Sequence, residues 1–285
     1  MLNRLIGIFC VAAMLLANGA LVFREFVPRW LAGEPPQNDA MRMRPGDVRR
    51  VQYAITDSIG RAVGRSWTVS SANLAPALVV DSYTLIDGVA LPDGTTPRVR
   101  LHMSLHYQAD DIPEKIVLEL DALSQRLTLT GEPVPPNFVF QWGLVDRRGE
   151  FTVPSDSMRA LGDVFKPFDR LPGLYEGRMW RHNVLDPLTK LLPNWLGNGM
   201  YSSSVLVKVT ARETIRHNGA DVEAFRVEAP GAVAWVHPDG RVLRQQVELP
   251  VFGMLQLVEE PWNAESYARV RDLIFSPLEG EERRR

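Results

Sequence analysis

Along most of this chain apolar residues recur at every second position. Val205, Val207 and Val209 alternate with Leu206, Lys208 and Thr210. Leu101, Met103, Leu105 and Tyr107 alternate with His102, Ser104 and His106, and Leu118, Leu120, Leu127 and Leu129 continue the pattern. A period of two sends alternate side chains to opposite faces, so each run predicts a strand with one face on a core. The separators agree. Asn218-Gly219 divides V-T-A-R-E-T-I-R-H from A-D-V-E-A-F-R-V-E, and Pro238-Asp239-Gly240 divides A-V-A-W-V from R-V-L-R-Q-Q-V-E-L. Pro92-Asp93-Gly94 and Asp87-Gly88 mark further turns. These residues supply the fixed or positive φ that tight turns need. Helical spacing is confined to Ser155 to Phe165, with Met158, Leu161 and Phe165 on one face, and to Asn263 to Phe275, with Tyr267, Val270 and Ile274 on one stripe. The expected class is mainly β (α+β minor): an N-terminal transmembrane helix, then curved antiparallel sheets in two β units, with one or two short helices.

One segment breaks the alternation. Leu5 to Phe23 holds 19 residues without a charge. At about 1.5 Å per residue they span roughly 28 Å, enough for a bilayer core. Arg4 precedes the run, and Arg24, Glu25, Arg29 and Trp30 follow it as an interfacial end. Ala17, Gly19 and Ala20 make a poor cleavage site, so an uncleaved anchor is favoured over a signal peptide. The boundaries read as a signal-anchor segment over 1–33, a Pro-rich tether over 34–46, a first β unit over 47–170, a second over 171–262, and a C-terminal helix with a charged tail over 263–285. The very short tail before the anchor directs the body outward. Arg42, Arg44, Arg49 and Arg50 pull the charge count the other way. The expected location is the inner (cytoplasmic) membrane, single-pass, with an extracytoplasmic body.

Composition removes several chemistries. The net charge of -2 gives no electrostatic case for nucleic acid. Cys10 is the sole cysteine, so the body has no disulfide, thiolate nucleophile or cysteine-based metal site. His102 and His106 would suit a metal on a helix. On a strand they lie about 13 Å apart along one solvated face. Asp110 and Asp111 read as a polar hairpin connection. Ser202, Ser203 and Ser204 lack a G-x-S-x-G elbow and read as strand entry. Trp235, His237 and Asp239 read as strand end and turn. No catalytic, cofactor-binding or metal residue is assigned, and the chain is expected to be non-enzymatic.

An apolar cluster remains. Trp180, Leu185, Leu188, Leu191, Leu192, Trp195 and Leu196 fall in a loop-like, proline-containing stretch. They either plug the space between the β units or line a groove. On the second reading Trp180, Leu185, Leu188, Leu192 and Trp195 are the surface for an apolar ligand or partner.

The runs G-L-Y-E-G-R-M-W-R-H-N-V-L-D-P-L-T, V-K-V-T-A-R-E-T-I, V-E-A-F-R-V-E, A-W-V-H-P-D-G-R-V-L-R-Q-Q-V and L-V-E-E, with I-T-D-S-I-G-R-A-V-G-R-S-W-T-V-S earlier, carry a resemblance. From about Val48 to Glu260 the chain resembles the β-rich extracytoplasmic domain that precedes transglutaminase-like modules in some bacterial proteins. It also resembles uncharacterised periplasmic domains of the lipoprotein-carrier architecture. The resemblance implies a curved antiparallel sheet around an apolar interior and carries over no catalytic residue. The chain departs from the longer proteins in that no transglutaminase-like module follows Trp262. The leading expectation is an accessory or binding protein of the cell envelope, acting beside an envelope protein partner. The alternative is a carrier of a lipid or other apolar ligand, in a cavity lined by Leu101, Met103, Phe138, Phe140 and Trp142. A hydrolase with a dispersed Ser-His-Asp site is the second alternative.

Overall fold

The computed structural model describes residues 32–36, 43–72, 78–89, 94–108, 113–122, 125–145, 147–155, 169–184, 203–249 and 253–275. The expected membrane span at 5–23, Leu185, Leu188, Leu191, Leu192, Trp195, Leu196, Asp110, Asp111, Ser202 and all of the predicted 155–165 helix beyond Ser155 lie outside them. Among the described residues no helix is long and apolar enough to cross a membrane.

Fourteen strands follow the alternating runs: β1 Val48–Thr56, β2 Ala62–Ala72, β3 Leu78–Ile86, β4 Val99–Tyr107, β5 Pro113–Ala122, β6 Gln125–Val134, β7 Asn137–Leu144, β8 Arg147–Pro154, β9 Met179–Val184, β10 Ser203–His217, β11 Ala220–Ala229, β12 Ala232–Val236, β13 Val242–Leu249 and β14 Gly253–Glu260. One helix, α1, spans Ala264–Phe275. The two β units expected from the sequence are halves of one sheet. Its order is β8-β7-β6-β5-β4-β3-β2-β1-β14-β13-β12-β11-β10-β9. Each half is a meander of sequential antiparallel neighbours. The two halves are joined by β1 against β14, from Gln52↔Glu260 to Thr56↔Gln256. No local signal specifies that pairing, because its partners are about 200 residues apart in sequence.

One face is apolar. Leu78, Val80, Leu105, Tyr107, Ile116, Leu118, Leu129, Phe138, Phe140 and Val153 form a cluster built from β3–β8 alone. Leu105, Ile116, Leu129 and Phe140 are 0% exposed. Among the described residues the apolar side chains packed against it are Met43 and the sheet's own Leu101, Met103, Leu120, Trp142 and Phe151. A sheet buries its own face in this way by bending inward, and bulges at Ile55/Thr56, His106/Tyr107, Val209/Ala211 and Trp235/Val236 supply bends. Gly131 gives the cluster room: a Cβ there would sit 2.5 Å from Phe138 Cε1 and 2.6 Å from Phe140 Cε1. Two further clusters occupy the same inner face. One gathers Ile55, Val63, Ile86, Val99 and Leu255. The other, around Trp180, Val207, Val209, Val227, Val236 and Val242, lies toward β9.

On the outer face α1 covers part of β2–β4. The Asn263 side-chain oxygen accepts from the Ser266 amide at 2.9 Å and caps the helix start. Val270 and Tyr267 pack on Trp67 and Tyr83. Trp67 Nε1 donates to Ser266 Oγ at 3.3 Å, and an Arg100 Nη1 donates to the Leu273 carbonyl at 3.1 Å near the helix end. The expected C-terminal helix is therefore present, and its apolar stripe has a defined partner.

Both predicted hairpin turns form. Asn218 and Gly219, at φ 48° and 84°, join β10 to β11 with the positive-φ pair of a two-residue turn. Between β12 and β13 the His237 amide donates to the Arg241 carbonyl at 2.8 Å, and Gly240 adopts φ 93°.

Candidate functional site

Between the three apolar clusters the inner face is a band of mixed character. It carries Val51 and Tyr53 of β1, Ser66, Thr68 and Ser70 of β2, Ser82 and Thr84 of β3, Leu101 and Met103 of β4, Gln245 of β13, and Leu257 and Glu259 of β14. The register sets this: Tyr53 lies opposite Ser66 and Glu259, Ser66 opposite Thr84, and Thr84 opposite Leu101. Val51, Ser82, Thr84, Leu101, Met103, Gln245, Leu257 and Glu259 are only half-buried. Mid-sheet positions on a filled core would be fully buried. Among the described residues, these eight positions are less covered than the apolar clusters beside them.

The hydroxyls of the band pair with one another. Ser66 Oγ and Thr84 Oγ1 are 2.8 Å apart, and Thr68 Oγ1 and Ser82 Oγ are 3.2 Å apart. Ser70, 1% exposed, has no hydrogen-bond partner for its Oγ.

The band ends in a group of buried ionisable side chains. Residues 169–171 run beside the start of β13: the Val242 amide donates to the Asp169 carbonyl at 3.0 Å, and the Leu171 amide to the Gly240 carbonyl at 2.7 Å. These bonds fix Asp169, whose side chain is 2% exposed. Arg49 Nη1 donates to Asp169 Oδ2 at 3.5 Å, and Asp169 Oδ1 has no hydrogen-bond partner. Burial raises the Asp169 carboxyl above the usual aspartate range, with Arg49 opposing. Tyr53 donates its phenol to the Val242 carbonyl at 3.1 Å. Burial, then the charges of Asp169 and Glu259, raise the phenol far above its ordinary value, so it stays protonated.

Glu259 is raised by burial too, with Arg241 opposing and Asp239 adding to the rise. Its Oε2 lies 3.6 Å from His217 Nε2 and 3.8 Å from Arg241 Nη1, and makes no hydrogen bond. His217 does not neutralise it. Burial, with Arg241 and Arg244, lowers the imidazole below its ordinary value, so it is neutral at pH 7. Arg241 is held more closely by Asp239, whose Oδ2 accepts from Nε at 2.9 Å and whose Oδ1 accepts from the Arg241 amide at 2.9 Å. These bonds, with His237 at 2.8 Å, bring the Asp239 carboxyl down to about 2 despite partial burial. His237 and Asp239 are turn residues, as expected, and the turn also orients Arg241 toward Glu259.

Several expectations change. His102 is not on a solvated face: it is 6% exposed and stacks on Tyr83, with ring centroids 4.7 Å apart and planes 18° apart. Its Nδ1 lies 3.3 Å from Glu119 Oε2 and its Nε2 3.9 Å from Asp81 Oδ1. The alternation assigned the face correctly, but helical cover from α1 on β3 and β4 lies beyond its reach. Half-buried His106 meets Ser104 Oγ at 3.3 Å on the same face. Trp180 lies in strand β9 rather than a loop, is 3% exposed and belongs to the apolar core, so it offers no free surface. Ser203 and Ser204 open β10, as strand entry. Trp235 covers a small core with Ile215, Ala224 and Leu243, and donates its Nε1 hydrogen to Glu213. Leu101, Met103, Phe138, Phe140 and Trp142 do share one face. Phe138 and Phe140 are locked in its core, while Leu101, Met103 and Trp142 are half-buried.

Ser66, Thr68, Ser70, Tyr53, Asp169 and Glu259 carry no motif in the sequence. The signal present was misleading: S-W-T-V-S reads as Trp67 and Val69 inward and the hydroxyls outward. The structure has the reverse, because α1 shelters Trp67 on the outer face.

The class of protein thus defined is, among the described residues, a single bent antiparallel sheet with a partly polar inner face. No family model matches the chain, and no curated protein matches it. Among solved structures it is similar to a β-barrel-like protein of a domain of unknown function, DUF1849, from Brucella abortus. That similarity has 7% sequence identity and a TM-score of 0.42, over 77% of this chain and 99% of that one.

Proposed function

We propose that this chain is a non-enzymatic binding module of the cell envelope, tethered through residues 5–23 with its body outside the cytoplasm. Its inner sheet face takes a small amphipathic ligand. The observation that carries the reading is the half-buried band between the apolar clusters. Leu101, Met103 and Leu257 offer apolar surface there, and Ser82, Thr84, Gln245 and Glu259 offer polar groups. Apolar surface beside polar groups is a combination that small-ligand sites use. The likeness in sequence to lipoprotein-carrier architectures is consistent with it. The membrane-anchor part rests on the apolar run 5–23 and its flanking charges.

The test is native mass spectrometry on the full chain, extracted gently from its own membranes. A co-purifying mass of lipid size, lost on substituting Met103→Arg in the band, is the expected result. A mass equal to the bare chain, with no ligand recovered by organic extraction, overturns the ligand reading. Partition of the chain into the soluble fraction, unchanged by deleting residues 5–23, overturns the anchor.

A further inference from the structure

The sheet has two edge strands, β8 and β9. The chain itself covers part of β9: Gly33 forms a parallel bridge with Trp180, and its amide donates to the Met179 carbonyl at 2.9 Å. Among the described residues β8 pairs with β7 alone. An unpaired edge presents a row of backbone donors and acceptors to another chain. The β7–β8 register shows which groups those are. Leu144 and Arg147 flank a two-residue turn, whose Val145 has φ 51°. In such a hairpin the flanking pair is hydrogen-bonded, and bonded and non-bonded pairs then alternate along the ladder. Arg147, Gly149, Phe151 and Val153 therefore bond to β7, while Arg148, Glu150 and Thr152 direct their backbone groups outward. Pro154 has the same parity: its missing N–H falls on the outward side, where no β7 bond is lost. Arg148, Glu150 and Thr152 are exposed, and their side chains stand on the outer face, because Phe151 and Val153 lie opposite Phe140 and Phe138 of the core.

We infer that β8 pairs antiparallel with β8 of a second copy of this chain, across a two-fold axis at Gly149. The charges select this register. An axis at Arg148 sets Arg148 against itself, and an axis at Glu150 sets Glu150 against itself. An axis at Phe151 pairs Glu150 with Thr152 and puts Pro154, which has no donor, opposite Arg148. An axis at Gly149 pairs Arg148 with Glu150 of the second copy and, by symmetry, Glu150 with its Arg148. Only this register matches opposite charges at both positions, and it forms about four main-chain hydrogen bonds. The cross-strand neighbours of Arg148 and Glu150 on β7 are Gly143 and Gln141, so neither charge is matched within that hairpin. A Cβ at Gly149 would stand 2.7 Å from the Trp142 indole, so this ring already lies over the strand at the axis.

The experiment measures the mass of the full chain in detergent by light scattering after size exclusion, over a range of concentrations. A dimer is expected. Arg148→Glu puts two Glu–Glu pairs beside the axis, and Glu150→Arg puts two Arg–Arg pairs there. Each is expected to raise the dimer dissociation constant about tenfold. Mixing the two single variants restores opposite charges at both positions, as does the double variant Arg148→Glu with Glu150→Arg, and both are expected to recover the dimer. That recovery separates a broken interface from a failure to fold. A monomer at every concentration overturns the pairing. So does a dimer that neither single variant weakens, as one made through residues 5–23 would be, and so does a mixture no more dimeric than its components.

Discussion

Gly131→Ala tests whether the bent sheet is held by a rigid aromatic core. The added methyl would sit 2.5 Å from Phe138 Cε1, 2.6 Å from Phe140 Cε1 and 2.8 Å from Phe140 Cδ1. Ordinary carbon contacts are about 3.5–4.0 Å, so a ring must retreat by about 1 Å. Neither ring has free space: Phe138 is 1% and Phe140 0% exposed. Phe140 is also stacked on Phe151, with centroids 4.9 Å apart and planes 11° apart. Overpacking of this kind costs about 1–3 kcal/mol. Against it stands the gain from replacing a strand glycine, about 0.5–1 kcal/mol. The net expectation is a loss of about 1–2 kcal/mol, read as a lower urea midpoint with an unchanged slope. Gly143→Ala is the control. Its new methyl meets only Thr128 Oγ1 at 3.0 Å, a rotatable hydroxyl, so it should be neutral or slightly stabilising. If the two variants behave alike, the aromatic cluster yields freely and its burial does not fix the curvature. A double variant, Gly131→Ala with Phe140→Leu, should recover part of the loss.

Three further outcomes follow from the geometry. Asp169 has a raised pKa in the folded state, so its contribution to stability is fully present below the unfolded aspartate value near 4 and is lost as pH rises through the folded value. The urea midpoint of Asp169→Asn, measured against the parent, should therefore improve from pH 4 to pH 7; a flat or falling difference would mean that Arg49 outweighs burial. Trp67→Ala should cost about 3–5 kcal/mol and expose α1 to proteolysis, since Trp67 is 3% exposed and carries Val270 and Tyr267. Unchanged protection of α1 would show that the Arg100 and Gln52 hydrogen bonds hold it alone. Asn218→Val puts a β-branched residue at φ 48° and should cost about 1–2 kcal/mol by chemical denaturation, while a neutral result would place that turn outside the cooperative fold.

The sequence by itself determined strands such as β4 and β10, two hairpin turns and α1. These depend on neighbours within a few residues: a period of two for β4 and β10, Asn218-Gly219 and Pro238-Asp239-Gly240 for the turns, and Asn263 for the helix cap. Those signals act through local backbone geometry and survive without any knowledge of the rest of the chain. The tertiary structure alone decided which face of β2 is inside and what covers the other face of β4. Alternation shows that two faces differ, but not what will cover either of them. For β2 the cover is α1, about 200 residues later, which turns Trp67 outward and leaves Ser66, Thr68 and Ser70 on the inner band. For β4 the same helix buries His102. The joining of the two halves through β1 and β14, and the meeting of Arg49, Tyr53, Asp169 and Glu259, are likewise contacts of high sequence separation. Loop closure brings such residues together only after the sheet exists, so no local pattern records them.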